Sequence, residues 1–181
     1  MMKSKTIRIL CATDNNYAPY CGVMLTSFLE NHKAFHTEVY IIVKSRLKGE
    51  RKMGLLEKRY DVSINFIVFP HKDLASSFPV GSPRWTEETY YRLFAAELLP
   101  QEVRTILYLD CDIIVDRDVS ELFFIDMDDI SALVVTDAPS HVIVSHASRL
   151  GYPEEKGYFN AGMMLMNLEY WRKNNISAQC I

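Results

Sequence analysis

Thr105-Ile106-Leu107-Tyr108-Leu109-Asp110-Cys111-Asp112-Ile113-Ile114-Val115 is an apolar run carrying two carboxylates two residues apart. Its first part reads as a buried strand, and side chains at i and i+2 of an extended backbone lie on one side of it. Asp110 and Asp112 are therefore expected to face the same object. Two like charges side by side are costly unless a cation lies between them. A hard divalent ion such as Mg²⁺ or Mn²⁺ takes oxygen ligands and usually shares them with a substrate phosphate. The competing reading is a strand followed by an Asx-turn. Asp116-Arg117-Asp118 and Asp126-Met127-Asp128 repeat the spacing, but their polar, turn-like surroundings favour solvated or capping carboxylates.

Upstream, strand and helix patterns alternate. Ile7 to Ala12 is a β-type run ending in the loop chemistry of Thr13-Asp14-Asn15-Asn16. From Ala18 to Asn31 the residues Val23, Met24, Leu25, Phe28 and Leu29 recur at helical spacing. Glu38 to Val43 is nearly all apolar, as in a strand covered on both faces. Leu47 to Tyr60 reads as an amphipathic helix with Met53, Leu55 and Leu56 inward, and Val62 to Phe69 as a third strand closed by Pro70. This order predicts a parallel α/β sheet, with residues 1–181 as one domain. His71 to Arg84 reads as a loop. Thr86 to Leu99 reads as a helix with Glu87 and Glu88 in its first turn and Pro100 as its stop. Beyond the carboxylate pair come an apolar run from Ile130 to Thr136 and an ambiguous stretch from Ala138 to Tyr152. A Gly-containing apolar run from Phe159 to Asn167 and a helix start at Leu168 follow.

Composition narrows the functional classes. The 181 residues are 49% hydrophobic and 24% charged, with a formal net charge of -3, which is ordinary for a globular domain. No basic block suggests nucleic acid as a partner, and no apolar stretch has the length of a membrane span. The N-terminus, Met1-Met2-Lys3-Ser4-Lys5, does not read as a signal peptide. Cys11, Cys21, Cys111 and Cys180 lack knuckle or redox spacing and read as reduced, mostly buried thiols of a cytoplasmic protein. A peripheral contact with the inner membrane surface is compatible with this composition.

Ligands of open parallel α/β sheets bind outside the carboxyl ends of the strands. Three polar clusters occupy such ends: Asp14-Asn15-Asn16-Tyr17, Asp110-Cys111-Asp112 and Thr136-Asp137. The first can read a base edge and stack on it, or can be a strand-to-helix turn capped by Asp or Asn. No Gly-rich phosphate loop is present, so a metal at the carboxylate pair is the simplest way to meet a diphosphate. Arg92 either covers apolar groups with its stem or is held beside an acid or a sugar phosphate. Around Asn160, the small residues Ala161 and Gly162 permit close approach of a ligand, or mark a bulge or bend. The five histidines, His32, His36, His71, His141 and His146, form no evident ligand pair and read as loop or surface residues.

These segments together resemble glycosyltransferase family 8, the group of bacterial lipopolysaccharide galactosyl- and glucosyltransferases and of glycogenin. The resemblance is carried by Ala12-Thr13-Asp14-Asn15-Asn16-Tyr17, Thr89-Tyr90-Tyr91-Arg92-Leu93, Leu107-Tyr108-Leu109-Asp110-Cys111-Asp112 and Phe159-Asn160-Ala161-Gly162-Met163-Met164-Leu165-Met166-Asn167-Leu168, with Trp171-Arg172 following. It implies a Rossmann-like α/β fold of the glycosyltransferase A type with a mainly parallel central sheet. It also implies a UDP-glucose or UDP-galactose donor, a glycan or lipopolysaccharide acceptor, and a Mn²⁺ (or Mg²⁺) ion bridging the diphosphate to Asp110 and Asp112. Ala12, Asp14, Asn16 and Tyr17 would hold the uridine. Asp112 would also approach the ribose, with Cys111 between the two carboxylates. Arg92, Asp137, Asn160, Ala161 and Gly162 would contact the donor sugar, which would be transferred with retention of configuration.

Family members normally continue past the Asn-Ala-Gly segment with an Asp-Gln pair, a metal-binding His and a Gly/Lys group. No residue of this chain matches these. The expectation is therefore weak UDP binding and poor turnover by the chain as it stands, with its exposed apolar surface favouring a homo-oligomer. Two alternatives stay open at this level. One is a binding or scaffold domain of the same fold. The other is a phosphatase of the haloacid dehalogenase type, with Asp110 as nucleophile and Thr136 as the hydroxyl of its second motif.

Overall fold

The computed structural model describes residues 5–70, 86–136, 151, 153 and 157–180. Strands β1 (Thr6–Ala12), β2 (His36–Val43), β3 (Val62–Val68), β4 (Thr105–Leu109), β5 (Ala132–Thr136) and β6 (Phe159–Asn167) form one sheet in the order β3-β2-β1-β4-β6-β5. The pairings of β1 with β2, β2 with β3 and β1 with β4 are parallel, and β6 runs antiparallel between β4 and β5. The sheet is thus mainly parallel, as the alternating pattern predicts. The antiparallel insertion of β6 has no counterpart in that pattern.

Alternation along each strand divides the core between the two faces. Ile7, Ile9 and Cys11 of β1, with Leu107 and Leu109 of β4, pack beneath helix α1 (Ala18–Asn31). Leu10 of β1, with Ile106 and Tyr108 of β4, packs on the other face with Tyr91, Phe94, Leu168 and Trp171. Helix α1 buries Cys21, Met24, Leu25, Phe28 and Leu29 at the spacing expected of one face, while Val23 is exposed.

Two expected helices are interrupted. The stretch from Leu47 to Tyr60 holds only α2 (Glu50–Met53) and a 3₁₀ turn (Leu56–Lys58), with Leu47 and Met53 buried but Leu55 exposed. Gly54 caps α2, and the backbone freedom of glycine disfavours continuing through it. The stretch from Thr86 to Leu99 divides into α3 (Glu88–Tyr91), a 3₁₀ turn (Arg92–Phe94) and α4 (Ala95–Leu98).

The C-terminal end of α4 is closed by a distant residue. Arg172, on α5 (Leu168–Asn174), donates from Nε to Ala96 O at 2.8 Å and from Nη1 to Val103 O at 3.0 Å. Its Nη2 reaches the carbonyls of Leu99 and Pro100. Trp171 Nε1 donates to Ser131 O at 3.0 Å. These contacts give Trp171-Arg172 a structural role: they fasten α5, with α6 (Ile176–Gln179) behind it, to the sheet and to α4. Among the described residues no helix is long and apolar enough to cross a membrane.

Candidate functional site

The chain runs outward from β1 through β2 to β3 on one side, then returns to place β4 on the other side of β1. Such a reversal leaves a crevice at the carboxyl ends of the two adjacent parallel strands. Here it is a cleft of about 290 Å³ lined by Ala12, Thr13 and Tyr17 at and beyond the end of β1 and by Tyr108, Asp110, Cys111 and Asp112 at the end of β4. Helix α3 and the turn after it form its wall with Glu88, Thr89 and Arg92.

Strand β4 ends at Leu109, and Cys111 and Asp112 lie in a turn. The two carboxylates therefore reach one cleft through that turn rather than through continued strand alternation. Asp110 accepts a hydrogen bond from the Tyr108 hydroxyl at 2.7 Å and pairs through the same oxygen with Arg92 Nη2 at 3.0 Å. Burial pushes the Tyr108 phenol well up, so it remains a protonated donor. Asp112 is exposed, and no other described residue engages its carboxylate. Two oxygen-donor side chains, one anchored and one free, suit a hard divalent cation such as Mn²⁺ or Mg²⁺.

Arg92 is buried, and its stem is not its main contribution. The guanidinium donates from Nε to Thr89 O at 2.9 Å and from Nη1 to Ala161 O, and lies 4.3 Å from the centroid of the Tyr108 ring. It thereby joins α3, β4 and β6 around Asp110. Gly162 closes the arrangement from β6. Its carbonyl accepts from Asp110 N at 2.7 Å, and its own N–H donates to Asn160 Oδ1 at 2.8 Å. A Cβ at Gly162 would lie 2.8 Å from Asp110 Oδ2 and 2.9 Å from Asn160 Oδ1, so any larger residue there would force the carboxylate or the amide to shift.

The first polar cluster is a turn built on Asp14. Its Oδ1 accepts from Asn16 N at 2.9 Å and Tyr17 N at 2.7 Å, and its Oδ2 from Asn16 Nδ2 at 3.0 Å. Asp14 and Asn16 thus shape the loop, and among its residues Tyr17, half exposed, faces the cleft with Thr13. Asn160 is exposed and directed at Gly162 N, and Ala161 contributes its carbonyl to Arg92. Asp137, His71, His141 and His146 lie outside the described residues. His32 is not a surface residue: it is buried, stacked on Phe28, and accepts from Val119 N at 3.0 Å.

Sequence reading passed over Thr13, Glu88 and Tyr108 as cleft residues. Tyr108 had a usable signal, since it precedes Asp110 by the same two-residue step that aligned the carboxylates. It also passed over the gathering of Cys11, Cys21 and Cys111, whose sulfurs lie within 4.8 Å of one another. The other Asp-x-Asp pairs behave as turn groups. Asp118 accepts from Ser120 N at 2.7 Å, and Asp126 from Asp128 N at 3.3 Å. A larger cavity, of about 610 Å³, holds Asp126, Asp128 and Lys173 but opens at the amino end of β4, away from the strand ends that carry the cleft.

A mainly parallel α/β sheet with a carboxylate pair in the crevice at its reversal point is the architecture of glycosyltransferases of the A type. The family model described as glycosyl transferase family 8 matches residues 8–181, and the chain belongs to that family. General stress protein A of Bacillus subtilis (strain 168) is 28% identical over 184 residues, covering 100% of this chain and 63% of that protein. A lipopolysaccharide 1,2-glucosyltransferase of Escherichia coli (strain K12) is 28% identical over 180 residues, covering 98% of this chain and 52% of that enzyme. The chain thus spans between half and two thirds of the length of these relatives. The crystal structure of the galactosyltransferase LgtC with donor and acceptor sugar analogues superimposes with a TM-score of 0.80 at 24% identity, over 92% of this chain and 60% of that one.

Family membership sets aside the phosphatase alternative. The topology agrees, because β6 separates β5, and with it Thr136, from β4 and Asp110.

Proposed function

We propose that residues 1–181 form the nucleotide-sugar-binding domain of a retaining hexosyltransferase. In this reading the donor is UDP-glucose or UDP-galactose, the ion is Mn²⁺ (or Mg²⁺), and the acceptor is a glycan or lipopolysaccharide. The observation that carries the reading is the meeting of Asp110, Asp112 and Arg92 with Ala12, Thr13 and Tyr17 in one cleft at the strand ends.

Each group then has a part set by its chemistry. Tyr17 is exposed enough to stack on uracil, and Ala12 and Thr13 form the floor against which the base rests. Asp14 and Asn16 hold that loop in shape, and their remaining lone pairs and N–H group would be left for the base edge. Asp110 and Asp112 would hold the divalent ion, which when bound neutralises charge developing on the departing diphosphate. Arg92 fixes the aim of Asp110 and holds the Ala161 carbonyl; with Ala161 and Gly162 it would orient the sugar. Asn160 and Asp137 complete the sugar-contacting set carried over from the family resemblance. A front-face departure of UDP with retention fits these residues at least as well as a route through a covalent carboxylate intermediate. We place the chain in the cytoplasm, with a peripheral contact at the inner membrane surface.

Calorimetric titration of UDP with and without Mn²⁺ tests the reading. The native chain is expected to bind UDP more tightly with the ion present, and Asp110→Asn/Asp112→Asn to lose that gain. Equal affinity in native and variant protein would end the proposal.

A further inference from the structure

We propose that Cys11, Cys21 and Cys111 form a second cation site beneath the cleft, built of sulfur alone and suited to a thiophilic ion of the Zn²⁺ or Cu⁺ type. It is independent of the donor-binding reading. The three residues come from the end of β1, from α1 and from the turn after β4, and all are buried. Cys11 Sγ and Cys21 Sγ are 3.6 Å apart, and all three sulfurs lie within 4.8 Å of one another.

Sulfurs each about 2.3 Å from a common ion stand roughly 3.7–4.0 Å from one another. The trio therefore needs side-chain movement of less than about 1 Å to enclose one. Thiolates select soft ions, whereas Mg²⁺ and Mn²⁺ take oxygen. The two sites would thus sort ions by hardness although Cys111 stands between Asp110 and Asp112. Cys111 lines the cleft and supplies the way in. As the ion binds, two thiols release their protons to solvent with Zn²⁺, or one with Cu⁺, and the remaining sulfurs stay neutral thiol donors. Two thiolates and one thiol around Zn²⁺ leave no net charge to bury.

Occupancy would tie β1, α1 and the end of β4 to one point. It would also withdraw Cys111 Sγ from Ala12 O, to which it donates at 3.2 Å. The site therefore stands where it can change the spacing between the first polar loop and the carboxylate pair.

The test uses the full reduced chain carrying Cys180→Ser, which removes the exposed thiol. Zn²⁺ is titrated against a chromogenic chelator, Cu⁺ is titrated anaerobically in a second arm, and X-ray absorption is recorded on the loaded protein. One equivalent of at least one ion is expected, held by three sulfurs at about 2.3 Å, with a single water ligand completing the shell of Zn²⁺, and resistant to excess Mn²⁺. Cys21→Ala should weaken binding at least tenfold. No stoichiometric binding of either ion, a shell of oxygen or nitrogen without the three sulfurs, or displacement by Mn²⁺ would overturn the proposal. The spectrum of the intact triad decides the matter even if Cys21→Ala fails to fold.

Discussion

Replacing Gly162 by alanine adds one methyl group and tests whether the backbone of β6 sets the position of the carboxylate. Gly162 has no positive φ, so the strand accepts alanine locally, and the loss of unfolded-chain freedom alone would stabilise by about 0.4–1 kcal/mol. The new Cβ, however, would stand 2.8 Å from Asp110 Oδ2 and 2.9 Å from Asn160 Oδ1. Asp110 cannot simply turn away, because its Oδ1 is held by Tyr108 and Arg92 and its N–H by Gly162 O. Overpacking of this kind costs about 1–3 kcal/mol. The net expectation is a loss of about 0.5–2 kcal/mol, seen as a fall in Tm of roughly 1–8 °C for a domain of this length. Displacing the carboxylate should also lower Mn²⁺-dependent UDP affinity by about tenfold, or about 1.4 kcal/mol. Differential scanning calorimetry and UDP titration read the two effects separately. A Gly162→Ala protein with native Tm and native Mn²⁺-dependent binding would refute the close-packing argument.

Gly22→Ala should act in the opposite direction. No atom lies within 4 Å of its added Cβ on α1, and the gain in helix propensity predicts about 0.5–1 kcal/mol of stabilisation by denaturant titration. Arg92→Lys keeps the charge but forfeits the bonds to Thr89 and Ala161 and the stacking on Tyr108; a loss of about 2 kcal/mol is expected in urea unfolding, and native stability would show that charge alone suffices. Arg172→Met leaves the carbonyls of Ala96, Leu99 and Val103 without their donor, and should destabilise by about 1–3 kcal/mol in the same assay. Glu30 is held down from an ordinary 4.5 to about 2 by hydrogen bonds from Lys33 and Tyr60. Its contribution is therefore complete above pH 4.5 and disappears as pH falls toward 2. Glu30→Gln should flatten the decline of Tm across that window, and an unchanged slope would remove the ionic account.

The sequence by itself determined the first strands, helix α1 and the place of the carboxylate pair at the end of β4. Period-two and period-3.6 patterns are properties of the backbone, so β1, α1, β2, β3 and β4 are legible as runs of side chains. The Asp14 turn is likewise legible, since a short acceptor reaches only its own neighbours. The family resemblance rests on these same local stretches.

Only the tertiary structure decided which distant groups meet. Arg92 found its acid when the 3₁₀ turn at Arg92–Phe94 and the pairing of β6 with β4 brought Thr89, Asp110 and Ala161 to one point. The antiparallel position of β6 also determined that a side chain at position 162 would press on Asp110 and Asn160. Cys11, Cys21 and Cys111 carry no spacing signal, because their proximity follows from the packing of α1 across β1 and β4. Contacts of that range arise from strand order and layer packing, which no window of neighbouring residues contains.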